Sequence, residues 1–382
     1  MPDRIRLAHI ITGLNVGGAE NALCKLVENI DREKFECSVL SLLPDGALAG
    51  RIKNAGADVF TLNMKRGQPR LSSFIRMVSR LRKIRPDIVQ TWMYHADLMG
   101  GIAGRILGVP VVWNIRHSNI DPMVNKLSTR LIVKLCAKMS GFIPARIAGC
   151  AVSGLDAHTA LGYAAEEMVQ IPNGFDTGVF RPDEAARFSF RAELGILPEA
   201  RLVGVIARFD PQKDHGNFFK AAACLSEKHC DVRFVLCGDR ITPDNPILAG
   251  MIDAALEGKV FLLGRRMDVP RILAALDVSV LPSMSGEAFP NVVGESMSCG
   301  APCVVTDVGD SARIVGDTGI VVPPRDPAAL ASGICSLLEM PRRERENLGA
   351  RARQRIIDEY EIGAVTKMYE NLYNSILFTF NL

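Results

Sequence analysis

Short apolar runs alternate with helix-patterned segments along most of this chain, and that alternation limits the fold more than any other feature. Runs at 5–11, 39–43, 59–62, 88–91, 109–115 and 148–152 are separated by stretches of helical periodicity. Strands buried on both faces and spaced by helices make a parallel sheet with helices on either side. A dense turn cluster then intervenes, Ile171-Pro172-Asn173-Gly174 followed by Phe180-Arg181-Pro182. Beyond it the pattern starts afresh, with runs at 202–207, 233–237, 260–263, 277–281, 302–306 and 318–322, and turns helical from 328 onward. The expected fold is α/β, with two doubly wound, Rossmann-like domains. A length of 382 residues suits that number.

Composition narrows the function. Hydrophobic residues make up 48% and charged residues 23%, as in a soluble globular protein. No run of 18 apolar residues occurs; the closest, 98–113, is broken by Arg105. The apolar start, 5–12, is too short for a signal peptide. Ten cysteines without a Cys-x-x-Cys pair read as reduced core residues of a cytoplasmic protein, not as a disulfide or zinc framework. The net charge of +3 hides an asymmetry: residues 1–172 carry 22 Lys and Arg against 14 Asp and Glu, the remainder 23 against 28. Residues 65–85 alone hold eight cations and no acid, with Phe74, Ile75, Val78 and Leu81 at helical spacing. Such a helix suits the inner, anionic face of a membrane. It equally fits a core-facing helix whose polar side is basic. Lys126, Arg130, Lys134 and Lys138 repeat the pattern on a second expected helix. Nucleic acid is not expected, because no aromatic interleaving or binding module accompanies the charge.

The chemistry concentrates at 283–309, SMSGEAFPNVVGESMSCGAPCVVTDVG. Apolar runs on both sides make it strand, loop, helix, strand, with Asn291 expected to cap the helix after Pro290. Ligands of parallel sheets sit beyond the carboxyl ends of strands, against helix N-termini. Glu287 falls in the loop and Glu295 eight positions on, about one turn into the helix. Two acids at that spacing are also what a solvated surface produces. The Gly and Pro punctuation around them (Gly286, Pro290, Gly300, Pro302) argues for a ligand loop. Arg208 and Lys213 flank Pro211 ahead of another expected helix, where two cations can neutralise a diphosphate or simply face water. Gly17-Gly18, after the first strand, offers bare backbone amides or a tight turn, and does not fit Gly-x-Gly-x-x-Gly. His95, and His117 beside Arg116, fall just past later strands and form a candidate polar rim.

The run Ser-Gly-Glu-Ala-Phe-Pro-Asn-Val-Val-x-Glu-Ser-Met-Ser-Cys-Gly-Ala-Pro-Cys-Val resembles the signature of glycosyltransferase family 4, the group 1 nucleotide-sugar transferases. Gly17-Gly18-Ala19-Glu20, Arg208-x4-Lys213 and the Asn173-Gly174-x-Asp176 segment extend the likeness over nearly the whole chain. The resemblance implies a GT-B architecture, two Rossmann-like domains facing a cleft. Residues 1–172 would form the acceptor side and 173–360 the nucleotide-sugar side, with 361–382 crossing back to the first domain. It implies retaining transfer from a nucleotide diphosphate sugar, UDP-linked, with no cofactor and no metal; no Asp-x-Asp pair occurs in the sequence. Glu287 would contact the donor sugar, and Glu295 the ribose. Arg208, Lys213, Gly17 and Gly18 would serve the phosphates, with Ala288, Phe289, Asn291 and Val292 around them. Gly264 and Arg265 would border the base. His117 would act at the sugar, with His95 and Arg116 on the acceptor side. Ala288 stands where many relatives have glycine, which narrows the sugar pocket. The block from Trp92 to Gly101 and the Trp113–Asn119 segment resemble transferases of lipid-linked glycans, which implies a polyprenyl-diphosphate acceptor in polysaccharide or lipopolysaccharide assembly. A nucleotide-sugar epimerase of the same fold and a non-catalytic sugar-nucleotide-binding partner are the alternatives.

Overall fold

A computed structural model describes residues 4–65, 71–118 and 127–380; residues 66–70 of the basic stretch and Lys126 lie outside them. The chain divides into two compact units, residues 1–174 with 362–382, and residues 175–361.

The first unit holds seven strands: β1 (Ile5–Ile11), β2 (Phe35–Ser41), β3 (Asp58–Thr61), β4 (Ile88–Trp92), β5 (Val111–Ile115), β6 (Arg146–Gly149) and β7 (Met168–Gln170). They pair in parallel in the order β3-β2-β1-β4-β5-β6-β7. The chain moves outward one way from β1 to β3, then returns to β4 and moves outward the other way. Right-handed crossovers therefore place the connecting helices on opposite faces. One face buries helices Gly18–Asn29, Ala49–Asn54 and Ile362–Phe380 in a shared core with Leu7, Phe35 and Trp92. The other buries Leu71–Ile84, Tyr94–Ile106 and Leu127–Met139 through Met77, Ala103 and Cys136.

The C-terminal helix Ile362–Phe380 is bolted to this sheet by polar groups inside the core. Asn114 Nδ2 donates to Tyr369 Oη at 2.9 Å, Tyr373 Oη donates to Gln90 Oε1, and the Asp31 amide donates to Glu370 Oε1 at 2.9 Å. A buried hydrogen bond adds little net stability, but leaving one partner unpaired costs about 1–3 kcal/mol, so these bonds fix the register of the helix.

The second unit repeats the plan with six parallel strands: β8 (Arg201–Ile206), β9 (Val232–Cys237), β10 (Val260–Leu262), β11 (Val278–Leu281), β12 (Cys303–Thr306) and β13 (Ile320–Val322). Their order is β10-β9-β8-β11-β12-β13, with the same reversal beside the first strand. Helices His215–Lys228 and Pro327–Glu339 share one core, and Phe190, Ile272 and Leu276 anchor another. Two Rossmann-like domains follow from the alternation of runs in the sequence. The short strand β7 was not among the sequence expectations, because three residues do not establish a period.

Candidate functional site

In both sheets the direction of winding changes between two neighbouring strands, β1 and β4 in the first, β8 and β11 in the second. Parallel sheets bind ligands at such switch points, beyond the carboxyl ends. The expected site residues fall on the segments that leave these four strands, β5 and, for Gly264 and Arg265, the edge strand β10.

The loop after β8 is built by two aspartates. Asp210 accepts the Gln212 amide at 3.0 Å and caps a short turn, Pro211–Lys213. Asp214, at φ 46°, then accepts the Asn217 amide at 3.2 Å and starts helix His215–Lys228. This geometry aims Lys213 back across the sheet edge. Its Nζ donates to Glu287 Oε1, joining residues 74 positions apart in sequence. Ser283 Oγ donates to the same oxygen at 2.6 Å. Thr306, the last residue of β12, donates in turn to Ser283 O at 2.6 Å. The backbone repeats the link, with Met284 N–H on Gln212 O at 2.8 Å. Glu287 is buried and Lys213 nearly so, which strengthens a charge-assisted bond over its surface counterpart.

Two glycines make this close approach possible. Gly286 sits at φ +79°, and a Cβ there would lie 2.5 Å from the Gln212 side chain. Gly309, at φ +61°, would place a Cβ 2.4 Å from Glu287 O, where the loop after β12 presses behind Glu287 and Ala288. Asp310 N–H completes that contact on Ala288 O at 2.9 Å.

Helix Asn291–Ser298 begins with Pro290 in the capping position, so Asn291 is its first helical residue and not its cap. The proline ring favours the extended conformation a cap requires. Val292 follows Asn291 in the first turn, and Glu295 lies one turn in, half-buried. The Phe289 ring is buried against Phe175, 6.2 Å away and stacked, and against Tyr360 at 5.6 Å. It anchors the loop, so what it offers a ligand is its backbone. Arg208 remains more than half exposed and bonds Asp210 at 3.1 Å. Gly264 uses its own amide on Ile241 O at 2.7 Å and its carbonyl for Gly238 N–H at 2.9 Å, while Arg265 is exposed. His215, two residues past Lys213, is buried and neutral: desolvation, then the Lys213 charge, lower its pKa to about 4. No sequence pattern marked it out for a role.

In the first domain, Gly17 caps helix Gly18–Asn29, and the Glu20 side chain folds over it so closely that a Cβ would meet Glu20 Oε2 at 2.3 Å. Burial raises the Glu20 carboxyl. Gly18 faces open space. His95 lies in the first turn after β4, its pKa lowered by burial. Arg116, just past β5, lays its guanidinium 5.5 Å from the Trp92 ring centre and donates to Asn173 Oδ1 at 2.5 Å. His117 follows it, half-buried.

Beneath this rim lies a buried polar layer that the sequence reading missed. Thr91 Oγ1 donates to Asp97 Oδ1 at 2.6 Å, and burial pushes the Asp97 carboxyl up to about 7. Trp92 Nε1 reaches His9 Nδ1 at 3.5 Å, and burial lowers His9 to about 3. The available signal was polar residues inside apolar runs: His9 in 5–11, Gln90 and Thr91 in 88–92, Asn114 in 111–115.

A cavity of about 780 Å³ opens elsewhere, at the amino-end edge of the second sheet, lined by Arg187, Asp277 and Arg345 among others. Asp277 is held there by Arg187 at 2.7 Å and Arg191 at 2.6 Å, and accepts the Leu202 amide. These charges serve one another, and none of the expected site residues reaches this edge.

Comparison with known proteins shows which family the chain belongs to. The model of "Glycosyltransferase Family 4" matches residues 16–179, and that of "Glycosyl transferases group 1" matches residues 200–340. The chain is a group 1, family 4 glycosyltransferase. This glycosyltransferase is 25% identical over 320 residues to the Escherichia coli UDP-Gal:alpha-D-GlcNAc-diphosphoundecaprenol alpha-1,3-galactosyltransferase, covering 82% of each chain. It is 24% identical to the Campylobacter jejuni N,N'-diacetylbacillosaminyl-diphospho-undecaprenol alpha-1,3-N-acetylgalactosaminyltransferase, over 89% of this chain and 91% of that one. Its fold matches Anabaena Alr3699/HepE, solved with UDP, at a TM-score of 0.83 and 22% identity, over 97% of this chain and all of the other. The fold class is GT-B.

Proposed function

We propose that this glycosyltransferase moves a sugar from a UDP-sugar to a polyprenyl-diphosphate-linked glycan, with retention and without a metal ion, during cell-surface polysaccharide assembly. The observation that carries the donor side is the convergence of Lys213 and Ser283 on Glu287, with Thr306 bracing the Ser283 carbonyl, at the switch point of the second sheet. The donor's diphosphate takes Lys213 and Arg208 as counter-charges, and the first turn of Asn291–Ser298 adds its dipole. Glu287 then accepts from a sugar hydroxyl and Glu295 from the ribose. Gly17 and Gly18 approach the phosphates by backbone, and Gly264 and Arg265 border the base.

In the reaction the sugar C1–O bond breaks, its electron pair passing to the terminal phosphate oxygen. The acceptor hydroxyl attacks C1 from the same face, and its proton goes to that departing oxygen. Fixed cations stabilise the charge where it develops, the role a metal ion fills in other transferases. His117 lies at the sugar, with His95 and Arg116 toward the acceptor.

The lipid-linked acceptor is favoured by the two undecaprenol-diphosphate relatives. The basic helix Leu71–Ile84 adds Arg80, Arg82 and Lys83 on its exposed side, which suits peripheral attachment to an anionic leaflet. Among the described residues no helix is long and apolar enough to cross a membrane. The test is transfer from a panel of UDP-sugars to undecaprenyl-diphosphate-linked acceptors, with and without EDTA, and the product's anomeric configuration read by NMR. Transfer that survives EDTA and retains configuration is expected. Loss with EDTA, inversion, or conversion of the UDP-sugar with no acceptor present would contradict the reading, the last in favour of an epimerase.

A further inference from the structure

The outer layer of the first domain carries a feature that donor binding does not use. Helix Leu127–Met139 buries Val133, Cys136 and Ala137 against the sheet. Its opposite side exposes Leu127 by 67%, Leu131 by 59% and Leu135 by 44%. These residues recur every four positions and form one stripe about 12 Å long. Lys134 and Lys138 are exposed beside it, and Arg130 is half-buried. Helix Leu71–Ile84 lies in the same layer, sharing a core through Met77 and Leu81, and exposes Leu71 and Ile75 among its cations. Neither helix contains an acidic residue.

We propose that Leu127–Met139 is an in-plane membrane helix, whose leucine stripe enters the headgroup boundary of an anionic leaflet while Arg130, Lys134 and Lys138 hold the phosphates. This rests on the lipid-linked acceptor reading and sharpens it: the basic helix Leu71–Ile84 attracts the surface, and Leu127–Met139 inserts. Charge complementarity selects the occupant. A second copy of the chain would bring the same two acid-free, cationic helices against these, and the two surfaces would repel. Anionic lipid supplies both the negative charge and the apolar depth, and helices of this composition seat their apolar face about 5–10 Å into the boundary. Leucine side chains largely left in water on a folded domain contribute little to its stability, so the stripe can be altered without unfolding it.

The sequence provides a clean reporter. Its two tryptophans, Trp92 and Trp113, are fully buried, so Leu131→Trp adds the one exposed indole. The full-length protein carrying Leu131→Trp is titrated with phosphatidylcholine vesicles, with and without phosphatidylglycerol. A blue shift with the anionic vesicles is expected. Leu127→Gln with Leu135→Gln should weaken co-sedimentation of the otherwise native chain about tenfold or more, with the melting temperature unchanged. Moderate salt should weaken it further. Unchanged emission, binding indifferent to both glutamine substitutions, or self-association with no vesicle response would each overturn the proposal. Insertion without transfer to any lipid-linked acceptor would leave the surface standing and defeat the acceptor reading. Transfer to such an acceptor without insertion would do the reverse.

Discussion

The two sheets have the same winding and spend their polar residues differently. In the second domain the polar groups stand above the strand ends and bond to one another: Lys213 and Ser283 on Glu287, Thr306 on Ser283. In the first domain many of them are sunk below the edge, where Thr91, Asp97 and Asn114 brace the sheet and the C-terminal helix. What remains on the first domain's rim, His95 in the first turn of Tyr94–Ile106 and Arg116 with His117 after β5, is partly exposed. A nucleotide diphosphate is a constant ligand and rewards a prebuilt site, because preorganised groups lose little freedom on binding. On the proposed assignment of the first domain to the acceptor, a variable acceptor rewards a stable platform with an adaptable rim. The same fold can therefore hold one rigid and one permissive site.

The strongest test of this contrast strikes the rigid side. Glu287→Gln keeps the shape but removes the charge opposite Lys213, and kcat should fall about 100-fold or more while the fold persists. A similar loss from His95→Gln would erase the contrast; about tenfold or less is expected there, as steady-state kinetics on both variants would show.

The platform is tested by pH. Burial places the folded pKa of Asp97 at about 7, above its ordinary value of 3.8. The unfolded chain therefore loses this proton first as pH rises, and the penalty grows from about pH 4 to about pH 7. Asp97→Asn keeps an acceptor for Thr91 and should raise the melting temperature by a few degrees at pH 7 and hardly at all at pH 4. An equal gain at both pH values would show that Asp97 is not buried as a titrating acid. His9 has the opposite sign, since its folded pKa is depressed to about 3, and its stabilising contribution is lost as pH falls below about 6.5.

The smallest effect separates positioning from contact. Ser283→Ala removes one of the bonds that hold Glu287, so kcat should drop about threefold to tenfold with donor affinity nearly unchanged. Ser283→Thr, which restores a hydroxyl, should recover part of it. A loss confined to donor affinity would mean that Ser283 touches the donor.

Much of this is legible in the amino-acid sequence. Apolar runs with helical spacers announce a doubly wound sheet because both faces of such strands are buried. The Glu287 loop was marked by Gly286 and Pro290, whose backbone demands have few other causes. The pairing of Lys213 with Glu287 was not legible, since strand order sets it and no local pattern encodes a partner 74 residues away. The helix start shifted by one residue because Pro290 outcompeted Asn291 for the capping position. The packing of the Phe289 ring against Phe175 and Tyr360 was not legible either, since both partners lie far off in sequence.

The central claim is that the switch point between β8 and β11 holds a nucleoside diphosphate. Thermal unfolding of the native chain and of Lys213→Ala, titrated with UDP, tests it most directly, because a ligand of the folded state alone must raise the melting temperature. The account predicts a rise with UDP in the native chain that is largely lost in Lys213→Ala. An equal rise in both, or none with UDP or any other nucleoside diphosphate, would contradict it.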